Sequence, residues 1–257
     1  MIVTTAGRTN EEMIMRAEET ANILQVPYIP RLKRSIQAVQ QQVHDDCLVI
    51  GKTRLELFPL GEQEPCFFHP NSAMFRIKRL QNGERDPFIE ACNLSFGKKL
   101  LDCTFGLGSD SITASFIVGE KGSVTGCEGN RYLAYIMSMG LQTWDDGDPA
   151  ILAAMKRIEL KASIALQILK GLPADSYDCV YFDPMFEENI SESDGIKGIK
   201  KLAVYEPLTE ETIHHAYRVA SDRVVLKDHF RSDRFKQFGF NVQIRKTAKF
   251  HFGILEK

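Results

Sequence analysis

The chain has 257 residues, 44% of them hydrophobic and 26% charged, with a formal net charge of -2. That length and balance fit one sizeable α/β domain with an appendage, and they exclude a disordered or fibrous chain. No apolar run reaches the roughly 18–20 residues that span a bilayer, and the opening Met1-Ile2-Val3-Thr4-Thr5-Ala6-Gly7-Arg8 lacks the apolar core of a signal peptide, so a cytoplasmic location is expected.

The chain opens on a strand-like run, continues with helical spacing over 10–24, passes through Val26-Pro27-Tyr28-Ile29-Pro30, and resumes helical spacing over 32–43. Cys47-Leu48-Val49-Ile50 and Arg54-Leu55-Glu56-Leu57-Phe58 then flank Gly51-Lys52-Thr53, which predicts a β-hairpin with Gly51 and Pro59 as punctuation. Residues 1–66 are therefore expected to form a small N-terminal α/β module. Residues 67–257 would form the main domain, entered through a linker carrying Phe68-His69-Pro70-Asn71. From Lys99 onward, apolar runs at 99–103, 123–128, 157–162, 177–182 and 223–227 alternate with helical patterns, which implies βαβ units and a mostly parallel sheet. The runs 240–245 and 250–255 are separated by only four residues and should pair as an antiparallel hairpin. No internal repeat is present.

Two motifs carry chemistry. In Leu100-Leu101-Asp102-Cys103-Thr104-Phe105-Gly106-Leu107-Gly108, two glycines follow directly on a strand and precede a helical stretch, so the backbone can turn sharply and approach a ligand. A dinucleotide fingerprint would need Gly or Ala at position 111, where this chain has Ser111. Asp102 at the strand end suits a cationic ligand instead. S-adenosylmethionine carries an ammonium and a sulfonium where a dinucleotide carries pyrophosphate, and Glu128, twenty residues past Gly108 at the next strand end, can accept both ribose hydroxyls. Glycine turns are also common structural devices, and Asp110 at the helix start reads equally as an N-terminal cap.

The second motif, Asp183-Pro184-Met185-Phe186, follows the 177–182 strand, and a proline after an acidic residue holds the local backbone extended with its carbonyl oxygens presented. An exocyclic base amine donates two N–H bonds, which the Asp183 carboxylate and a nearby main-chain carbonyl would accept while Phe186 stacks on the base. Methyl transfer would then be an in-line displacement governed by alignment and charge, with the proton leaving late to Asp183 or to water. The competing reading of Asp-Pro is a plain turn after a strand.

Other residue types narrow the field. The six cysteines include no C-x-x-C pair and read as buried reduced thiols, and the six histidines show no metal-ligand spacing, so no metal is expected. Residues 195–257 hold thirteen Lys/Arg against seven Asp/Glu, which makes this quarter either an anion-binding face or an ordinary solvated surface.

Taken together, these residues resemble a class I S-adenosylmethionine-dependent methyltransferase. Asp183-Pro184-Met185-Phe186 is similar to the [DNS]-P-P-[YF] signature of amine-modifying members, with Met185 in place of the second proline. That departure, with Phe68-His69-Pro70-Asn71 upstream, Phe75-Arg76 soon after and Ala162-Ser163 at the end of the 157–162 strand, resembles the bacterial small-subunit ribosomal RNA guanine-N2 methyltransferase family over roughly residues 67–230. The resemblance implies a Rossmann-like α/β fold with a seven-stranded, mostly parallel sheet and a reversed last strand. It implies cofactor contacts at Ser109, Asp110, Glu128, Gly129, Ser163 and Asp183, with Gly106 and Gly108 shaping the turn, and it aligns Lys227, at the end of the 223–227 strand, with a basic residue expected on the substrate side.

Three departures stand out: Ser109 replaces a basic residue in the turn, Glu187 replaces a proline, and the N-terminal module is unlike the family's. Glu187 and Glu188 beside the base pocket oppose phosphate unless they point away. His69 either approaches the substrate or is structural, and Arg76, Lys78 and Arg79 either contact phosphate or form a solvated helix face. The polar stretch 187–202, with Lys197, Lys200 and Lys201, reads as a substrate loop or as a loop without function. The expected partner is RNA, either small-subunit rRNA or the assembled subunit. The alternatives are methylation of a small-molecule or protein amine, and a non-catalytic cofactor-binding RNA module in ribosome assembly.

Overall fold

Short, uniformly apolar runs bounded by turn residues become buried strands. Longer amphipathic runs with a capping side chain become helices. A computed structural model of the chain describes residues 1–184, 202, 204 and 206–257. The N-terminal region contains β1 (Ile2–Thr5), α1 (Glu11–Leu24), α2 (Ile36–Val43), β2 (Cys47–Ile50) and β3 (Leu55–Phe58). Asn10 caps α1 by accepting the Met13 N–H, and Ser35 caps α2 by accepting the Ala38 N–H. Helix α2 starts later than its spacing suggests, because Leu32 and Lys33 both take left-handed φ, at 48° and 61°, and cannot join a right-handed helix. The three strands form one sheet in order β1-β2-β3, with β1 and β2 parallel and β2–β3 the predicted hairpin.

The larger sheet is built from β4 (Lys99–Asp102), β5 (Ser123–Glu128), β6 (Glu159–Ala162), β7 (Tyr177–Phe182), β8 (Ala220–His229), β9 (Asn241–Gln243) and β10 (Phe250–Glu256). Its order is β6-β5-β4-β7-β8-β10-β9. The first five of these strands are parallel, and β10 runs antiparallel between β8 and β9. This is the expected seven-stranded sheet with its reversed last strand. The helices between include α3 (Asn71–Gln81), α4 (Pro87–Ala91), α5 (Ser109–Val118) and α6 (Arg131–Thr143). The chain proceeds from β4 outward through β5 and β6, then returns to add β7 on the other side. The crevice over the carboxyl ends of β4, β5 and β7 therefore lies at the switch point where open α/β sheets bind ligands.

One apolar cluster runs from Val3 and Leu57 of the small sheet through Phe68 and Met137 to Phe105 and Tyr181 of the large one. Phe68, in the passage between the two sheets, is 5% exposed, and its ring occupies the space that a side chain at Gly140 would need. All six cysteines are buried and none forms a disulfide. Among the described residues no helix is long and apolar enough to cross a membrane, and no three His, Cys, Asp or Glu side chains are grouped to hold a metal.

Candidate functional site

The glycine turn after β4 is held from both sides. Asp102, 1% exposed, accepts the Thr104 N–H at 3.0 Å on one carboxylate oxygen and the Ser111 hydroxyl at 2.7 Å on the other. Burial pushes its pKa up to about 7 against the lowering effect of those two bonds. Gly106 and Gly108 have φ of +54° and +76°, which only glycine adopts without strain. A Cβ at Gly108 or at Gly126 of β5 would overlap the Phe105 ring, so the ring is wedged between two positions that lack side chains. Glu128, 8% exposed at the end of β5, accepts the Gly106 N–H at 3.3 Å and the Asn130 N–H at 2.9 Å. Its pKa is raised by burial, with the two N–H bonds acting in the opposite direction. Each carboxylate oxygen keeps lone pairs for further donors.

Beside the turn runs a chain of alternating charges. Arg76 of α3 forks onto Asp86 at 2.8 and 2.9 Å and also pairs with Asp110 at the start of α5. Asp110 accepts the Tyr181 hydroxyl at 2.8 Å and the Lys227 ammonium at 3.3 Å, and Lys227 donates to Asp183 at 2.6 Å. Burial acts to raise the Asp110 pKa, but Lys227 and Arg76 outweigh it and hold the carboxyl well below the usual range. Asp183 is raised instead, by burial first, with Lys227 opposing and Asp110 adding to the rise. Burial works against the Lys227 ammonium, yet the two aspartates hold its pKa above the ordinary lysine value. The Asp183 N–H donates to Thr104 at 2.6 Å, which ties the end of β7 to the turn after β4.

These elements open on one cleft of about 1180 Å³. Asp102, Gly106, Gly108, Ser109, Asp110, Glu128 and Gly129 line one part of it, and Asp183 and Pro184 line another, with His69, Arg76 and Lys227 also at its walls. The two motifs therefore meet. Ser163 does not line the cleft among the described residues. Its hydroxyl donates to Gln167 at 3.1 Å, and Ile164 and Ala165 take the wall position. Arg76, a candidate phosphate contact in the sequence, and Lys227, aligned there with a basic strand-end residue, are bound to carboxylates in the ion chain. Phe186 and the 187–201 part of the polar stretch lie outside the described residues.

Sequence reasoning missed Asp86, Tyr181 and Arg245. Asp86-Pro87 reads locally as a helix start, and it does cap α4 through the Phe88 and Ile89 N–H groups while also holding Arg76. Arg245 lines the cleft with its guanidinium 4.7 Å over the Phe250 ring, and its Nη1 is buried with no hydrogen-bond partner among the described residues. Nothing in its local sequence marks it.

The residues present fit S-adenosylmethionine. Ser109 Oγ at the first turn of α5 is buried without a partner among the described residues, next to main-chain N–H groups that favour an anionic end such as a carboxylate. The Glu128 carboxylate, with lone pairs left beside its two N–H bonds, would accept vicinal hydroxyls, and the carboxylates of the cleft suit a cation.

A family model described as "Putative SAM-dependent methyltransferase" matches residues 31–252. The chain is 46% identical to the uncharacterized protein YpiP of Bacillus subtilis (strain 168) over 99% of each chain. It is 30% identical over 169 residues to ribosomal RNA small subunit methyltransferase J of Legionella pneumophila (strain Lens), a match covering 61% of this chain and 64% of that protein. Among solved structures, the S-adenosylmethionine-dependent methyltransferase NGO1261 of Neisseria gonorrhoeae shares the fold at a TM-score of 0.63 and 19% identity, covering 100% of this chain and 96% of that one. The switch-point cleft, the glycine turn with its acid partner and the family match lead to one conclusion: this chain belongs to the S-adenosylmethionine-dependent methyltransferases and uses S-adenosylmethionine as its cofactor.

Proposed function

We propose that this methyltransferase modifies an exocyclic amine of an RNA base, guanine N2 in small-subunit rRNA, acting on the RNA or on the assembled subunit. The observation that carries the reading is the Asp183-Pro184 step at the end of β7, which faces the same cleft as the glycine turn and Glu128, with its carboxylate fixed by Lys227. The partial similarity to a protein named as a small-subunit rRNA methyltransferase supports the substrate class. The reading takes 67–257 as the catalytic region and 1–66 as an accessory module.

Bound S-adenosylmethionine supplies an electrophilic methyl group on a sulfonium. Ser109, Asp110, Glu128 and Gly129, on the turn that Gly106 and Gly108 shape and Asp102 braces, would hold that cofactor. The Asp183 carboxylate and a main-chain carbonyl beside Pro184 accept the two N–H bonds of the acceptor amine. This turns the nitrogen toward the methyl carbon and supplies the alignment that such displacements need. Burial raises the basicity of Asp183, so it can take the proton that the methylated nitrogen releases, with water as the other acceptor. Arg76 and Lys227 act as positioning residues, holding Asp110 and Asp183 from behind, and His69 lies on the cleft wall where substrate enters.

The test is to incubate purified protein and labelled S-adenosylmethionine with small subunits, or total RNA, from cells lacking the gene, and to identify the labelled nucleoside. Label in N2-methylguanosine of small-subunit rRNA is the expected result. Tight cofactor binding with no label in RNA would sink the reading and favour a small-molecule or protein amine.

A further inference from the structure

The N-terminal module presents a basic edge that the reaction does not explain. Residues 1–66 carry more acids than bases, but all seven bases gather at one edge. Strand β1, the Tyr28 bridge beside it and β2 all run in the same direction, so the loops 6–10, 30–35 and 51–54 leave the sheet at one edge. Arg8 lies on the first loop, Arg31, Lys33 and Arg34 on the second, and Lys52 and Arg54 on the third. Arg16, from the second turn of α1, reaches the third loop through the Gly51 and Lys52 carbonyls. These are all the Lys and Arg residues of the module. Of the nine acids, Glu11 and Glu12 open α1 on this side and Glu56 pairs with Arg54, Glu18 and Glu19 lie further along α1, and Asp45, Asp46, Glu62 and Glu64 fall at the opposite edge, where β2 begins and β3 ends.

The positive charge at this edge is held but not cancelled. Arg31 Nε donates to the Arg34 carbonyl at 2.8 Å, and Arg34 Nε donates back to the Arg31 carbonyl at 3.0 Å. Main-chain carbonyls fix a guanidinium without neutralising it, which leaves a preorganised cation. The clamp holds the two left-handed residues Leu32 and Lys33 in place, and such backbone strain persists only where its surroundings enforce it. Leu32 is thereby left 78% exposed between two arginines. Arg54 is the exception, since it pairs with Glu56 at 2.5 Å.

The edge leads to the cleft. The Arg54 guanidinium lies 4.1 Å over the Phe67 ring, Phe67 meets His69 edge-on at 6.1 Å, and both rings line the cleft. From the second loop to the third, the basic groups span three strand positions and the spacing beyond, on the order of 15 Å at about 4.8 Å per strand. An extended polyanion fits such a track, because phosphate contacts position a nucleic acid without reading its sequence.

We infer that the basic edge of the N-terminal module is an RNA-docking surface, which holds the sugar-phosphate backbone flanking the target nucleotide and directs that nucleotide past Phe67 and His69 into the cleft. This inference rests on the RNA reading of the function and assigns the module its part in it.

The test is a triple variant, Arg8→Gln, Lys33→Gln and Lys52→Gln. All three side chains are exposed and make no side-chain hydrogen bond among the described residues, so the fold is left intact. A control with the same loss of charge carries Lys121→Gln, Lys156→Gln and Lys236→Gln, exposed positions elsewhere on the chain. Binding to small-subunit rRNA transcribed in vitro is measured between about 0.05 and 0.2 M salt, alongside cofactor affinity and the melting temperature. The expected result is an RNA affinity at least tenfold weaker at low salt for the triple variant only. Its log–log salt slope would be shallower by about two, since each lost phosphate contact removes about 0.7 on single-stranded RNA. Cofactor affinity and melting stay as in the wild type. If the triple variant proves unstable, Lys33→Gln and Lys52→Gln alone are compared with the control, with a slope change of about 0.7 expected from each.

A slope and affinity equal to the control would overturn the docking edge and leave the RNA reading standing. Unchanged binding to naked rRNA with lost activity on assembled subunits would also overturn it, in favour of a protein contact. A wild-type protein that neither binds nor methylates RNA would remove both readings together.

Discussion

The large and the small sheet both present loops at the carboxyl ends of parallel strands, yet they use charge in opposite ways. Over the large sheet, Asp86, Arg76, Asp110, Lys227 and Asp183 pair in sequence through space, so each charge is answered by a neighbour. Over the small sheet, the half-buried Arg16, Arg31 and Arg34 are steadied by main-chain carbonyls, which leave their charge unneutralised, while Arg8, Lys33 and Lys52 are exposed. Buried ion pairs contribute little net stability, but they fix geometry and penalise removal of either partner. Exposed cations fix little and act at a distance, within the roughly 8–10 Å that physiological salt permits. In the functions proposed above, one edge aligns reacting groups and the other attracts a polyanion.

The sharpest way to break this contrast is at Asp183. Asp183→Ala is expected to lower single-turnover methyl transfer by about 10²–10⁴-fold, the usual worth of a positioned proton acceptor, with cofactor affinity within a few-fold of wild type. Unchanged transfer would remove Asp183 from the mechanism. Next is Lys227→Ala, which leaves Asp110 and Asp183 buried without their shared cation and is expected to cost about 3–5 kcal/mol in denaturant unfolding. A Lys33→Ala change at the exposed edge should stay within about 0.5 kcal/mol. Equal costs at the two sites would dissolve the comparison.

Asp102 sharpens it through pH. Its folded pKa of about 7 lies above the unfolded value, so the folded state binds the extra proton. Its stabilising contribution is fully present below about pH 4, where both states are protonated, and is lost as pH rises toward 7. Stability should therefore decline across that window by on the order of 3 kcal/mol, and Asp102→Asn should flatten the decline. A profile that Asp102→Asn leaves unaltered would show that the turn does not depend on a proton there. Asp110, depressed, acts in the opposite sense: its contribution is present above the ordinary carboxylate range and is lost only in stronger acid.

Smaller effects test the turn itself. Gly108→Ala combines a left-handed φ with overlap of the Phe105 ring and should cost roughly 2 kcal/mol while weakening cofactor binding, whereas Gly171→Ala, with open space around it, should not. Ser109→Ala should leave stability unchanged or slightly higher, because it removes a buried hydroxyl without a partner among the described residues, and should weaken cofactor binding by less than about tenfold. A Ser109→Ala protein that binds cofactor as the wild type does would free Ser109 from any role.

Local pattern made much of this legible. Each run read as a strand from 99 to 227 became one; the apolar runs of β4, β7 and β8 are covered on both faces in the middle of the sheet, whereas β6, Glu159-Leu160-Lys161-Ala162, forms a partly exposed edge. Gly106, Gly108 and Glu128 were legible for a related reason: a turn leaving a strand and an acid ending the next one are placed by strand order alone. The late start of α2 was not legible, since its helical spacing hid two left-handed residues that are held by the clamp between Arg31 and Arg34.

Strand positions, the glycine turn and the Asp183-Pro184 step follow from the order of residues, because short-range sterics and burial act on neighbours in the chain. The ion chain follows from the folded arrangement: Lys227 and Asp110 are 117 positions apart, Tyr181 and Asp110 are 71, and Arg76 and Asp110 are 34. The basic edge likewise gathers three loops that no local pattern joins. Electrostatic partners are set by distance in space, and that distance exists only once the sheets have formed and packed.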